Sequence, residues 1–167
     1  MGLTRVFAKR GLIPSGQKVS ELRDNLARLM VESAVVFHDR FGSEGLDALS
    51  EVFRKLGEED AMQLKDRLGL GETLVDAVDA WRVVGHVMGA KMKVVKVSET
   101  RVNTEHPYCP QYEKFKERGM LYCESVCLPY VRAIAEGVTP SVEMEVLEPA
   151  NEERTCVKSL VISGAPE

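Results

Sequence analysis

The chain has 167 residues, 44% of them hydrophobic and 29% charged, with 22 basic against 26 acidic side chains and a net charge of −4. That balance suits one soluble domain over residues 1–167 with a well-buried core. It excludes a basic stripe for nucleic acid, and no apolar run is long enough to span a membrane.

Residues 1–17 carry Arg5, Lys9 and Arg10 without the apolar stretch of a secretory signal. After Met1-Gly2, Val6 breaks the myristoylation pattern. A cytoplasmic location is therefore expected. From about residue 19 to 89 the pattern is helical. Ser20 is placed to cap a helix with Leu22, Leu26, Leu29, Met30, Ala34, Phe37 and Phe41 at near-helical spacing, stopped by Gly42. Ser43 is placed to cap a second, carrying Leu46, Leu49, Phe53 and Leu56 and closed by Gly57. A third segment runs from Glu58 to Leu68, with the acids Glu58, Glu59 and Asp60 in its first turn. Thr73 opens the strongest helix, where Leu74, Ala77, Val78, Trp81, Val84 and Met88 form one stripe and Gly89 ends it.

Beyond Gly89 the period changes. Met92–Val97 is rich in β-branched residues, and a turn near Ser98–Thr100 leads to Arg101–Glu105, which predicts a hairpin. Pro110 suits the first position of a helix beginning after Cys109. Gly119 interrupts that helix, and another runs to Glu136 with Gly137 as its stop. Pro129 requires the second helix either to begin shortly before it or to kink there. Val142, Met144 and Val146 alternate with Glu143 and Glu145 as a half-exposed strand. A turn at Glu148–Asn151 leads to a last strand, Thr155–Ile162, and a frayed end at 163–167. Strands joined by such turns pair antiparallel. The expected class is α+β: N-terminal helices packed with a small antiparallel sheet of about four strands, in the order β-β-α-α-β-β over residues 90–163.

All four cysteines lie in that second part, at Cys109, Cys123, Cys127 and Cys156, spaced C-x13-C-x3-C-x28-C, with none in the first 108 residues. Thiolates are soft metal ligands and nucleophiles. In a reducing compartment, grouped cysteines point to metal or redox chemistry rather than structural disulfides. If residues 123–127 are helical, Cys123 and Cys127 share a face with Cβ atoms about 5–6 Å apart, within reach of one metal at Zn–S distances of ~2.3 Å. Cys109 at a helix start and Cys156 on a strand complete a four-thiolate site for zinc or a [4Fe–4S] cluster. The competing reading is four small buried hydrophobes.

His106 is a candidate extra ligand or proton donor, although a loop histidine is the simpler reading; His86 suits a helix C-terminus, and His38 has no evident partner. Tyr108, Tyr112, Tyr122 and Tyr130 fall in the cysteine region and could line a pocket. Glu152-Glu153 reads as a solvated loop, and Gly69-x-Gly71 lacks the preceding strand of a phosphate loop.

The segments VVGHVMGAKMKVVKVSETRVNTEHPYCPQYEKF, LYCESVCLPYVRAIAEGVTPSVEMEV and TCVKSLVI, within Ala77–Ile162, resemble the family named for L-2-amino-thiazoline-4-carboxylic acid hydrolase. The arrangement is also similar to vinyl-4-reductase-like ligand-binding domains, whose fold is related to that of vesicle-tethering proteins. The resemblance covers about half of the chain, and its cysteine pattern matches Cys109, Cys123, Cys127 and Cys156. It implies hydrolase or lyase action on a small sulfur- or nitrogen-containing substrate, with a metal polarising the bond or activating water. Asn151–Thr155 departs from the more acidic stretch before the last cysteine in many relatives, which weakens chemistry routed through that turn. The alternative is a non-catalytic module: apolar stripes at 22–41 and 74–88 close over a small hydrophobic ligand, with the thiols as a redox switch. Either reading expects a small-molecule partner and leaves room for a homo-oligomer.

Overall fold

In a computed structural model, which describes residues 13–164, the order is α1 (Ser15–Leu68), α2 (Leu74–Met88), β1 (Lys91–Val97), β2 (Arg101–Tyr108), α3 (Pro110–Glu117), α4 (Cys127–Val138), β3 (Val142–Glu148) and β4 (Val157–Ile162). The expectations on the N-terminal residues before 13, and on the last three residues of the expected frayed end, lie outside that range. Among the described residues, four helices and a four-stranded antiparallel sheet of order β1-β2-β4-β3 make the class α+β.

The expected breaks at Gly42 and Gly57 resolve differently. Gly42 (φ 63°, ψ −141°) bends one element of 54 residues, because only glycine takes that backbone angle without a Cβ penalty. Gly57 stays helical. A Cβ there would collide with the Tyr130 carbonyl and lie 2.8 Å from the Ala133 Cβ, so this glycine lets α1 press against α4. Gly137 likewise lies within α4, with Ala61 of α1 against it. Helix α1 follows Pro14 rather than Ser20 and ends in a left-handed Gly69. The acids at 58–60 therefore fall in mid-helix: Glu58 pairs with Arg54, and Asp60 accepts from the Tyr130 hydroxyl.

The stripe expected at 22–41 is rotated. Ala27, Met30, Val31 and Ala34 are buried, whereas Leu22 is 67% exposed and Leu26, Leu29 and Phe41 also face solvent. Arg23 fastens this half of α1 to the end of α2, donating to the Val87 carbonyl at 2.8 Å and to that of His86. Helix α2 matches its expected bounds. The Thr73 hydroxyl accepts from the Asp76 amide at 3.2 Å, Asp76 accepts from the Thr73 amide at 3.0 Å, and Gly89 closes the helix at φ 83°.

One face of the sheet packs against the helices. In register, Val102 pairs with Leu160 and Thr104 with Lys158 across β2 and β4, and Met144 pairs with Leu160 across β3 and β4. The other face carries the Arg101–Glu145 ion pair at 2.7 Å and a Ser159–Asn103 hydrogen bond at 2.9 Å. Two apolar clusters result. The larger joins α2, α4 and the sheet around Trp81, Ile134 and Leu160. The smaller joins α1, α3 and the 119–126 loop around Val31, Phe115 and Val126.

Candidate functional site

Between the two clusters lies a cavity of about 70 Å³, walled by Met30, Trp81, Val84, Met88, His106 and Lys158 together with Cys109, Cys123, Cys127 and Cys156. All four cysteines are unpaired thiols, and they arrive from three stretches of chain, Cys123 and Cys127 sharing one. Cys109 is the N-cap of α3, held extended (φ −136°) with Pro110 in the first turn behind it. Its Sγ lies 3.5 Å from the Gln111 side-chain oxygen. Cys127 is the first residue of α4. Cys156 precedes β4 rather than starting it.

Cys123 is not on that helix. Residues 123–126 form a turn, closed by the Leu128 amide donating to the Cys123 carbonyl at 2.9 Å. Pro129 accounts for this. It lacks an amide proton and crowds the carbonyl four residues back, so α4 can hold it only in its first turn. The helical spacing of Cys123 and Cys127 is thus replaced by a turn that still brings both to the same wall.

The thiols feel one another. Burial raises the pKa of the Cys109 thiol, and the neighbouring Cys123 and Cys156 add to the rise. The Cys123 and Cys127 thiols lie side by side, and their interaction lowers the pKa of Cys123 against the effect of its burial and lifts that of Cys127 well above the ordinary thiol range. Cys123 is therefore the first of this pair to ionise, and the thiolate is the nucleophilic and metal-binding form. Among the described residues, no group of three or more His, Cys, Asp or Glu side chains is drawn closely enough together to hold a metal ion. The donor set suits zinc or an iron–sulfur cluster in kind, but its four sulfurs stand around a cavity instead of on a common centre.

Of the expected histidines, His106 reaches the cavity. Burial, with the Lys158 charge adding, pushes its pKa down to about 3, so the ring is neutral near pH 7. Its buried Nδ1 has no hydrogen-bond partner, and its backbone carbonyl accepts from the Thr155 hydroxyl at 2.6 Å. His86 pairs instead with the Arg82 carbonyl at 3.0 Å in the last turn of α2, and His38 lies 5.2 Å from the Tyr122 ring, away from the cavity. Tyr112 and Tyr130 line the cavity. The Tyr112 hydroxyl donates outward to the Asn151 carbonyl at 2.9 Å, and Tyr108 is exposed. Glu153 lies in a loop where its amide donates to Asn151 Oδ1 at 2.9 Å. The helical walls come from Met30 on α1 and from the Trp81–Met88 stretch of α2, with the Trp81 indole N–H donating to the Val131 carbonyl at 2.7 Å.

Lys158 was not singled out by the motif pattern. It is only 5% exposed, lines the cavity, and holds its Nζ 5.3 Å from the centre of the Trp81 ring. The signal for it lay in the strand period, since Lys158 shares a face with Leu160.

No family model matches the chain, and no curated protein matches it in sequence. Among solved structures it is similar to a trafficking protein particle complex subunit 3 from Naegleria fowleri, crystallised covalently bound to palmitic acid. That likeness has a TM-score of 0.63 at 13% identity and covers 89% of this chain and 99% of the other. It is a likeness of fold. No helix among the described residues is long and apolar enough to cross a membrane.

Proposed function

We propose that this protein binds a small, largely apolar molecule in the cavity between α1, α2, α4 and the sheet. The observation that carries the reading is the lining: Met30, Trp81, Val84 and Met88 with four weakly polar thiols around an internal space, the composition of a small-molecule site. The fold neighbour's palmitic acid supports it, as an apolar guest held by a protein of this architecture. Thermal unfolding with a series of small neutral apolar molecules tests it. At least one should raise the midpoint of the wild type, stabilising it by about 2.7 kcal/mol at a hundredfold excess over Kd, and none should do so in Val84→Phe, whose ring fills the space. Equal responses of the two proteins would sink the reading.

A second reading has its own support. Four cysteines from three segments of chain, at 109, 123–127 and 156, reach one cavity, which packing of small hydrophobes does not require. In that reading Cys109, Cys123, Cys127 and Cys156 close on zinc or a [4Fe–4S] cluster, whose contribution would be Lewis acidity or a ligated substrate atom. The chain's own part would be to supply thiolates, Cys123 first, and to keep water away with Trp81 and Met30. Metal and sulfide analysis of protein purified without oxygen tests this, with loss of metal expected in Cys156→Ser. Stoichiometric metal in that variant would remove Cys156 from the site.

A further inference from the structure

A lysine occupies a core position on a central strand. Strand β4 lies between β2 and β3, and the residues facing the helices alternate, so Lys158 and Leu160 point the same way as their partners Thr104, Val102 and Met144. A charge at such a place opposes folding to the extent that the interior does not replace the water it loses. Yet the Lys158 ammonium has no ion-pair or hydrogen-bond partner among the described residues. The acids of the flanking strands are engaged elsewhere: Glu105 pairs with Lys93 at 3.1 Å and Glu145 with Arg101 at 2.7 Å. The Trp81 ring returns part of the cost as a cation–π contact. His106, one step along the same face of β2 from Thr104, lines the same space with a buried Nδ1 that also lacks a partner.

We propose that the cavity receives a short-chain carboxylate, with its anionic head on Lys158 Nζ and its alkyl body against Trp81, Val84 and Met88. The proposal rests on the ligand-binding reading and adds the head-group class. The size follows from the space: about 70 Å³, at about 10–15 Å³ for each water-sized sphere, admits about five to seven such centres. An inorganic anion would satisfy the ammonium but leave the apolar wall against its hydration shell. A neutral hydrocarbon would fill the wall but leave the ammonium bare. A charge-assisted hydrogen bond is stronger than a neutral one and discriminates accordingly.

The chain's single tryptophan, Trp81, reports on its own cavity. Its fluorescence is followed while the full chain is titrated with butyrate, with the neutral isostere butyramide and with inorganic phosphate, in wild type, Lys158→Met and Val84→Phe. Butyrate should bind wild type about tenfold or more tighter than butyramide, phosphate should leave the signal unchanged, and Lys158→Met should bind both organic probes alike. Val84→Phe should bind neither. Equal binding of butyrate and butyramide to wild type, lost in Val84→Phe, overturns the carboxylate class and leaves the cavity as a ligand site; that would also follow if the Cys123 thiolate already neutralised Lys158. Phosphate binding as tightly as butyrate replaces the carboxylate with an inorganic anion. No response to either organic probe overturns the proposal and removes support from the ligand-binding reading. The wild-type comparison decides the matter even if Lys158→Met fails to fold.

Discussion

Replacing Lys158 by methionine should make the protein more stable, an unusual direction for a change at a residue 5% exposed. Most buried substitutions open a cavity, but methionine keeps most of the lysine stem and removes only the ammonium. Replacing a buried ion pair by well-packed apolar residues of similar volume is often neutral or stabilises by about 1–4 kcal/mol, and removing one unpaired ammonium is expected in the lower half of that range. The cation–π contact with Trp81 is forfeited, which takes back about 0.5–2 kcal/mol. The net expectation is a gain of about 1 kcal/mol, or about 2–4 °C in Tm for a chain of this size. Urea unfolding of the ligand-free protein at neutral pH, with midpoint and slope both fitted, measures it. A loss of 1 kcal/mol or more at unchanged slope would refute the reasoning. It would mean that Lys158 is already compensated inside the fold, most directly by the Cys123 thiolate, and that the cavity offers no vacancy for an anion.

Gly57→Ala should lose about 1–3 kcal/mol by chemical denaturation despite the better helix propensity of alanine, because its Cβ would strike the Tyr130 carbonyl and Ala133 of α4. Thr73→Ala should cost about 1 kcal/mol by removing the acceptor of the Asp76 amide from the α2 cap, also read by denaturation. The buried His106 has a folded-state pKa of about 3 against an ordinary value of 6.5, so between those values the unfolded chain binds more protons than the native one. Its contribution to stability is therefore present above pH 6.5 and is lost as pH falls, approaching ~1.4 kcal/mol per pH unit. His106→Leu should show a shallower loss than wild type between pH 6.5 and 4.5; parallel curves would contradict the burial of a neutral ring. Alkylation of the native chain under limiting iodoacetamide, read by peptide mass spectrometry, should label Cys123 before Cys127, since their interaction and burial hold Cys127 well above the ordinary thiol range while Cys123 is lowered.

Elements whose ends are chemical were legible in the sequence, and elements whose ends are set by packing were not. Thr73 and Gly89 bound α2, and Pro110 opens α3, because a cap, a left-handed angle and a missing amide act locally. By residue type alone, Gly57 and Gly137 resemble helix stops. In the fold they remain helical, because what each supplies is room for another helix, a fact about residues 133 and 61 rather than about their own neighbours. The apolar residues at 22–41 contain two overlapping stripes, and periodicity alone does not choose the one with Ala27, Val31 and Ala34 over the one with Leu22 and Leu29. For the candidate site, the clustered cysteines do come together in space, and all four line one cavity. Lys158 was readable in principle. The expected strand Thr155–Ile162 already placed it beside Leu160, and a charge in the apolar phase of a strand is a local conflict of the kind that marks functional positions.

The position of the four thiols bears on both functional readings. Cys109 caps α3, Cys123 lies in a turn, Cys127 opens α4 and Cys156 precedes β4, so each sits at a junction and none lies within a regular strand or helix interior. At such junctions a thiol is held by fewer ladder or helix hydrogen bonds, a single turn bond at Cys109 and at Cys123, than Trp81, Val84 and Lys158 within α2 and β4. The cavity therefore combines a rigid wall carrying the cation and the apolar surface with an adjustable wall carrying the sulfurs. A guest that needs a fixed head-group contact meets the first. A metal that needs four sulfurs drawn to a common centre requires displacement of the second. The two occupants thus make opposite demands on backbone mobility. A metal should slow amide exchange at residues 123–127 and 155–156, while a carboxylate on Lys158 should leave those segments nearly as they are and protect residues 81–88 and 157–159. Hydrogen exchange on the chain with each partner separates them, and a carboxylate that protected the cysteine junctions first would contradict this division of the cavity.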